Sequence, residues 1–245
     1  MKQNIILVHG AWHGSWCWHK IIPGLSSAGF KVFTPCLPGM GERHDEDATG
    51  ITLTFCIDDL QGQIKRMVGN EAFTLVGHSF SGAVVTAIAD RMVDQLHRLI
   101  ILDGCFLESG ETLFGKIEKS VVESRLQSAR DYGNDRMPPP QSEFFGIKSP
   151  CDLKWVREHL SHHPVQTYQT PAPQRQHALS EIPAHYLHCT NPSFSTIEPY
   201  YDEAVKLGWP TRKMEVPHDL MITHPELTVD FLLGIAKSGK HSSDA

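Results

Sequence analysis

Phe73-Thr74-Leu75-Val76-Gly77-His78-Ser79-Phe80-Ser81-Gly82 runs from an apolar stretch, through a turn of small residues, into a helical pattern. Residues 73–77 read as a strand. Residues 81–94 read as a helix, with Val84, Val85, Ile88 and Met92 along one side. A Ser on such a strand-to-helix turn projects its hydroxyl above the sheet. Backbone N–H groups at the helix start then face any anion that forms there. The turn is crowded, so the residues two before and two after Ser79 must be small, and Gly77 and Ser81 meet that demand. The plain alternative is a capping Ser in an ordinary loop. The strand before, the helix after and a His9-Gly10 pair closing the first strand weigh against it.

Working outward, short apolar runs alternate with helical patterns. Residues 5–9 form a buried strand, 18–28 a helix, 31–35 a strand, 37–41 a loop, 54–69 a helix and 99–103 a strand. Continuous apolar strands alternating with helices specify a parallel sheet covered on both faces. Its active-site loops then lie at the carboxyl ends of the strands. From 108 to 182 no strand pattern appears: 118–129 and 151–160 read as helices, with an extended Met137-Pro138-Pro139-Pro140-Gln141 between them. Sheet pattern resumes at 184–189, followed by a helix at 197–207, a strand at 211–216 and a helix at 227–237. The expected organisation is a core of residues 1–107 and 183–245, with 108–182 as a cap over the strand ends. The polar tail 238–245 is expected to be disordered.

The chain has 245 residues, 40% hydrophobic and 20% charged, enough to bury a full core. Its formal net charge of −6, with no Lys/Arg run, disfavours a nucleic-acid partner. No stretch approaches the ~18 apolar residues that a bilayer span requires, so no membrane partner is expected. The N-terminal apolar run is too short for a signal peptide. The six cysteines lie far apart without a Cys-x-x-Cys pair, which implies free thiols and a reducing, cytoplasmic compartment. No nucleotide-binding glycine pattern and no His-Glu-x-x-His occurs, so neither a cofactor nor a metal is expected. A homodimer stays open.

Fifteen histidines compete for the role of base. His218, in Val216-Pro217-His218-Asp219-Leu220-Met221, follows the last apolar strand and precedes the last helix. A Ser hydroxyl needs such a neighbour to take its proton. His185 and His188 lack a carboxylate partner at ligand spacing, and His9 and His13 lie in a loop.

The elbow around Ser79, the position of His218 and the segment Val8-His9-Gly10-Ala11-Trp12-His13-Gly14-Ser15-Trp16-Cys17-Trp18 resemble the α/β-hydrolase superfamily. Within it they are similar to the plant methylesterase and hydroxynitrile lyase group and its bacterial esterase relatives. The resemblance implies an α/β-hydrolase fold: a mostly parallel central sheet, helices on both faces and a helical cap inserted after the sixth strand. It also implies an oxyanion hole formed by the N–H groups of Ala11 and Phe80.

The family's acid usually follows the strand at 184–189. Here that loop reads Thr190-Asn191-Pro192-Ser193-Phe194-Ser195, without a carboxylate. Some α/β hydrolases take the acid from the strand after the nucleophile's, which makes Asp103 the first choice. Glu108, Asp202 and Glu198 follow it. Asp219 adjoins His218, and sequence neighbours rarely align as acid and base.

The expected reaction is hydrolysis of a small to medium ester, thioester or lactone through an acyl-enzyme on Ser79. The substrate is expected to be an apolar or aromatic small molecule, with Trp12, His78, Phe106 and Trp155 at the pocket. A lyase, cyclase or condensing enzyme on the same scaffold is the alternative, as is a ligand-binding receptor. Hydroxynitrile lyases carry a Lys after the base and a Thr in the first loop. Asp219 and Ala11 stand at those positions here, against cyanohydrin cleavage.

Overall fold

The computed structural model describes residues 2–133 and 135–237. The chain runs β1 (Gln3–Val8), α1 (Ile22–Ser27), β2 (Phe30–Phe33), α2 (Leu53–Val68), β3 (Phe73–His78), α3 (Ser81–Arg91) and β4 (Leu96–Leu102). An excursion follows with α4 (Lys119–Tyr132), β5 (Arg136–Met137), α5 (Pro150–His159), β6 (His163–Pro164) and α6 (Gln166–Gln169). The core closes with β7 (Ala184–Cys189), α7 (Glu198–Lys206), β8 (Thr211–Met214), α8 (Leu220–Thr223) and α9 (Pro225–Ala236).

Six strands pair in the order β2-β1-β3-β4-β7-β8, and every pairing is parallel. Ile5 to Val8, Leu75, Val76 and Leu99 to Leu102 are all fully buried. Both faces of the sheet are therefore covered, which explains the continuous apolar runs. The α2 helix buries Leu53, Cys56, Ile57, Leu60, Ile64 and Val68, a stripe at helical spacing. Burying one such Leu or Ile is worth roughly 1.5–3 kcal/mol, so the stripe fixes which side of α2 meets the sheet. Thr52 caps the helix by accepting the Phe55 N–H at 3.1 Å.

From β1 the chain moves outward to β2, then returns past β1 to β3 and continues to β4. The order reverses between β1 and β3. Loops leaving the two carboxyl ends there diverge and leave a crevice. The β1 loop carries His9 to Trp12, and the β3 loop carries Ser79.

Three expectations need correction. The excursion follows the fourth strand of the described chain, not the sixth. The excursion also contains strands, the antiparallel pair β5–β6, where Arg136 faces Pro164 and Met137 faces His163. Two-residue strands are too short to show periodicity. The helix expected at 18–28 is split into a 3-10 turn at Ser15–Trp18 and the short α1. Pro23 stands in α1's first turn, where its missing N–H is harmless. The tail 238–245 lies outside the described residues.

Gly82, in the first turn of α3, packs against the Cys105 backbone, and a Cβ there would overlap the Cys105 carbonyl. Gly82→Ala is expected to destabilise the protein by roughly 1–3 kcal/mol in urea denaturation; an unchanged midpoint would contradict this close approach.

Candidate active site

Ser79 sits one residue past β3 with φ +55°, in the left-handed region that non-glycine residues seldom adopt. Its N–H donates to the Leu102 carbonyl at 3.1 Å, and its own carbonyl accepts the N–H groups of Gly82 and Cys105, each at 3.1 Å. Ser81 does more than stay small. Its hydroxyl donates to the Val8 carbonyl at 2.8 Å and accepts the His78 N–H at 2.9 Å, tying the elbow to β1. A Cβ on Gly77 would lie 2.5 Å from a Val85 methyl. A Cβ on Gly10 would lie 2.9 Å from both Ser79 Cβ and His78 Nδ1, so only glycine lets the β1 loop approach the elbow this closely.

Asp103 stands one residue past β4, also at positive φ (+44°), and is fully buried. Its Oδ2 accepts from His218 Nδ1 at 2.6 Å. Its Oδ1 accepts from His188 Nδ1 at 2.9 Å and from the Cys189 N–H at 3.0 Å. Burial alone would raise this carboxyl, but hydrogen bonds from His188 and His218 and the nearby His218 charge hold it down at about 2. The carboxylate therefore stays ionised, and a proton on His218 Nδ1 leaves Nε2 as the ring's free base. The strained residues Ser79 and Asp103 are joined at 64° by a third, Trp12. Strain of this kind costs of order 1–3 kcal/mol per residue and gathers at functional sites.

The ring of Phe194 stacks on His218 with centroids 4.5 Å apart. Phe194 also lines, with Ser79, a small pocket. His78, next to Ser79 in the chain, lies 4.6 Å ring to ring from His218 and donates Nε2–H to its carbonyl at 3.0 Å. Burial and the His218 charge lower His78 to about 3, so it is a neutral strut beneath His218.

Of the two expected anion donors, Phe80 lines this pocket at the start of α3, and Ala11 lies on the β1 loop beside the lining residue Trp12. Among the described residues neither N–H donates to a protein acceptor. Behind Ala11 lies a feature the sequence did not disclose. His13 Nδ1 bonds the Ala11 carbonyl at 2.8 Å, and its Nε2 bonds Asp219 Oδ2 at 3.0 Å. Both partners can only accept, so both ring nitrogens carry protons and His13 is an imidazolium. Burial lowers the His13 pKa, but the Asp219 carboxylate raises it past the ordinary value. Conversely, burial raises the Asp219 carboxyl, and His13 pulls it below the usual range. This buried ion pair clamps the β1 loop to the residue after His218.

Of the four candidate acids, only Asp103 reaches the imidazole. Glu108, Asp202 and Glu198 are exposed, and Glu198 accepts the Ser193 hydroxyl at 2.5 Å. Trp12 lines the Ser79 pocket, as expected. His78 supports the site from below and is fully buried. Two expected pocket residues lie elsewhere. Phe106 belongs to a core aromatic cluster with Tyr186, Tyr200 and Trp209. Trp155, on α5, packs edge-on or tilted against Trp16, His19 and His159. Both are aromatic residues near the excursion, and composition cannot tell a core ring from a pocket wall. His188, set aside for want of a carboxylate, has one in Asp103. The register pairs Leu102 with Leu187, which makes Asp103 and His188 neighbours across two strands, and this is visible only once the strands are aligned. His78, His218 and Asp219 also place potential metal-ligating atoms within 4.8 Å of one another. His78 Nε2, His218 Nδ1 and Asp219 Oδ2 are engaged in the hydrogen bonds above, while His78 Nδ1 and Asp219 Oδ1 are buried without a protein partner.

A parallel αβα sheet with a serine elbow, and a carboxylate–imidazole pair beyond it, defines the α/β-hydrolase class. The chain belongs to the Alpha/beta hydrolase family, whose profile matches residues 5–231. It is 30% identical over 240 residues to the carbendazim hydrolyzing esterase of Nocardioides sp. (strain SG-4G), covering 91% of this chain and 95% of that one. It is 27% identical over 150 residues to the putative chloroplastic methylesterase 14 of Arabidopsis thaliana, covering 58% of this chain and 42% of that one. Among solved structures, an extracellular alpha/beta-hydrolase from a Paenibacillus species matches with a TM-score of 0.81 at 19% identity, over 96% of this chain and 100% of that one. Tomato methylketone synthase I matches with a TM-score of 0.75 at 18% identity, over 96% of this chain and 98% of that one. At these identities the structural likeness concerns the fold. Family membership and the esterase relatives place the chain among the carboxylic ester hydrolases.

The His13–Asp219 pair makes a pH-dependent prediction. A raised His contributes stability below its unfolded value, about 6.5, and loses it as pH climbs through the folded value. A depressed Asp contributes stability above its unfolded value, about 3.9, and loses it as pH falls through the folded one. The pair therefore stabilises most between about pH 4 and 6.5. Asp219→Asn is expected to lose about 3 kcal/mol near pH 6. In urea denaturation its deficit against the parent should shrink by about pH 9. An equal deficit at both values would contradict an ionised pair.

Proposed function

We propose that the chain is a serine hydrolase that cleaves a small to medium carboxylic ester through an acyl-enzyme on Ser79. The observation that carries this reading is the 2.6 Å Asp103–His218 hydrogen bond, behind the pocket that holds Ser79. His218 Nε2 takes the Ser79 hydroxyl proton as Oγ attacks the ester carbonyl. The Ala11 and Phe80 N–H groups receive the oxyanion, each worth about 3 kcal/mol in the transition state. Collapse breaks the bond to the alcohol, which leaves with the proton held by His218. Water then repeats the sequence on the acyl-enzyme and frees the acid. Asp103 fixes the tautomer of His218 and stabilises the cation formed twice per cycle.

The pocket walls support an apolar or aromatic acid portion: Trp12, Phe80, Tyr168, Phe194 and Tyr200 line it. The methylesterase names among the relatives support a short alcohol. The excursion at 108–182 acts as the cap, since Leu113, Ile117, Arg125 and Tyr168 from it enclose the pocket. Among the described residues no helix is long and apolar enough to cross a membrane. All six cysteines are free, which supports a cytoplasmic location.

Turnover of p-nitrophenyl butyrate tests the assignment. Ser79→Ala and His218→Ala are expected to abolish acyl-enzyme turnover, and Asp103→Asn to lower kcat by about 10⁴. Turnover within a few-fold of the parent in Asp103→Asn would remove the acid from this scheme.

A further inference from the structure

Arg125, on α4, is the cation the mechanism leaves unused. Its guanidinium lies 5.7 Å from the Trp12 ring centroid and 5.5 Å from that of Tyr168. It lines the Ser79 pocket and also a larger adjoining one of about 440 Å³. Trp12, Arg125 and Phe194 are common to both, so they form the neck between them.

Other partly buried cations in this protein are satisfied. Arg43 pairs with Asp59 and Glu46, Lys20 with Asp152, and Lys116 with Glu111 and Glu203. Arg136 and Arg175 donate to backbone carbonyls. Among the described residues Arg125 has neither a carboxylate within 4.0 Å nor a hydrogen bond to a carbonyl. Aromatic faces hold a guanidinium in place without using its N–H donors. One side-chain hydrogen bond links Arg125 to the Tyr168 hydroxyl; its remaining N–H donors lie at the cavity junction without a carboxylate.

The outer pocket is two-sided. One wall is Ser120, Ser124 and Ser128, one turn apart along α4, and the other is Met137, Phe144 and a run of three prolines. An apolar chain ending in an acceptor group matches this arrangement. The protein's net charge of −6 gives a carboxylate no general attraction, so its capture requires a local cation.

We propose that Arg125 binds a carboxylate at the far end of the substrate's acyl chain, so that the preferred substrates are monoesters of dicarboxylic acids. This rests on the esterase reading above. With a short alcohol and the acyl portion in the inner pocket, the far end of the acyl chain is the part that reaches the neck. A guanidinium and a carboxylate form charge-assisted, often two-pronged hydrogen bonds. A neutral ester end offers only weaker acceptors.

The test measures methanol release from the monomethyl and dimethyl esters of succinic, glutaric, adipic and suberic acids. At the best-fitting length, kcat/KM for the monoanion should exceed that for its dimethyl counterpart by about tenfold or more. Arg125→Gln should bring that ratio to unity or below, and Arg125→Lys should keep part of it. Preference for the neutral diester at every length, or a ratio unmoved by Arg125→Gln, overturns the inference. If the parent enzyme cleaves none of these esters, the esterase reading is in trouble, and calorimetry decides the inference separately. Monomethyl adipate would be titrated into Ser79→Ala and into the Ser79→Ala, Arg125→Gln double variant. Affinity weakened about tenfold by the second change supports the subsite; equal affinity, or binding to neither, refutes it.

Discussion

A single buried carboxylate organises this molecule. Asp103 bonds His218 on one oxygen and His188 and the Cys189 N–H on the other. It thereby joins the ends of β4 and β7 to the loop after β8. An ionised group at full burial is costly unless it is paired and hydrogen-bonded. Three donors meet that condition here. The same bonds that make the charge tolerable fix the imidazole's orientation, so folding and site assembly are one event.

A second buried charge repeats the logic on the other side of the pocket. His13 and Asp219 neutralise each other, and His13 also holds the carbonyl of Ala11. The anion-facing loop is thus tied to the loop that carries the base. His78 adds a third link, from beneath the elbow to the His218 backbone. The two loops leave different strands and meet only through these polar contacts, and positive φ angles at Trp12, Ser79 and Asp103 mark where the backbone bends to allow it.

Much of this was legible in the sequence. Strands β1, β3 and β7 and helix α2 announce themselves by continuous or periodic burial, and the elbow by its small residues. Asp103 could be singled out because the loop at 190–195 lacks a carboxylate and the resemblance to the α/β hydrolases implies the end of the strand after the nucleophile's as the other source. What stayed hidden depended on distance in the chain. His188 meets Asp103 through strand register, and His13 meets Asp219 across nearly the whole sequence. Neither pairing has a local pattern. Phe106 and Trp155 show the converse limit, since an aromatic residue reads alike in a core and at a pocket wall. Arg125 carries no local signal either, because Trp12 and Tyr168 flank it only in the folded chain.

The central claim is that one hydroxyl, at Ser79, is activated by the imidazole held on Asp103. Peptide mapping by mass spectrometry after treatment with a fluorophosphonate addresses it directly. The account predicts one phosphonyl adduct, on the peptide containing Ser79, formed quickly by the parent protein and very slowly when His218 is replaced by Ala. An adduct at another residue, or labelling of Ser79 at an undiminished rate without the imidazole, would contradict it.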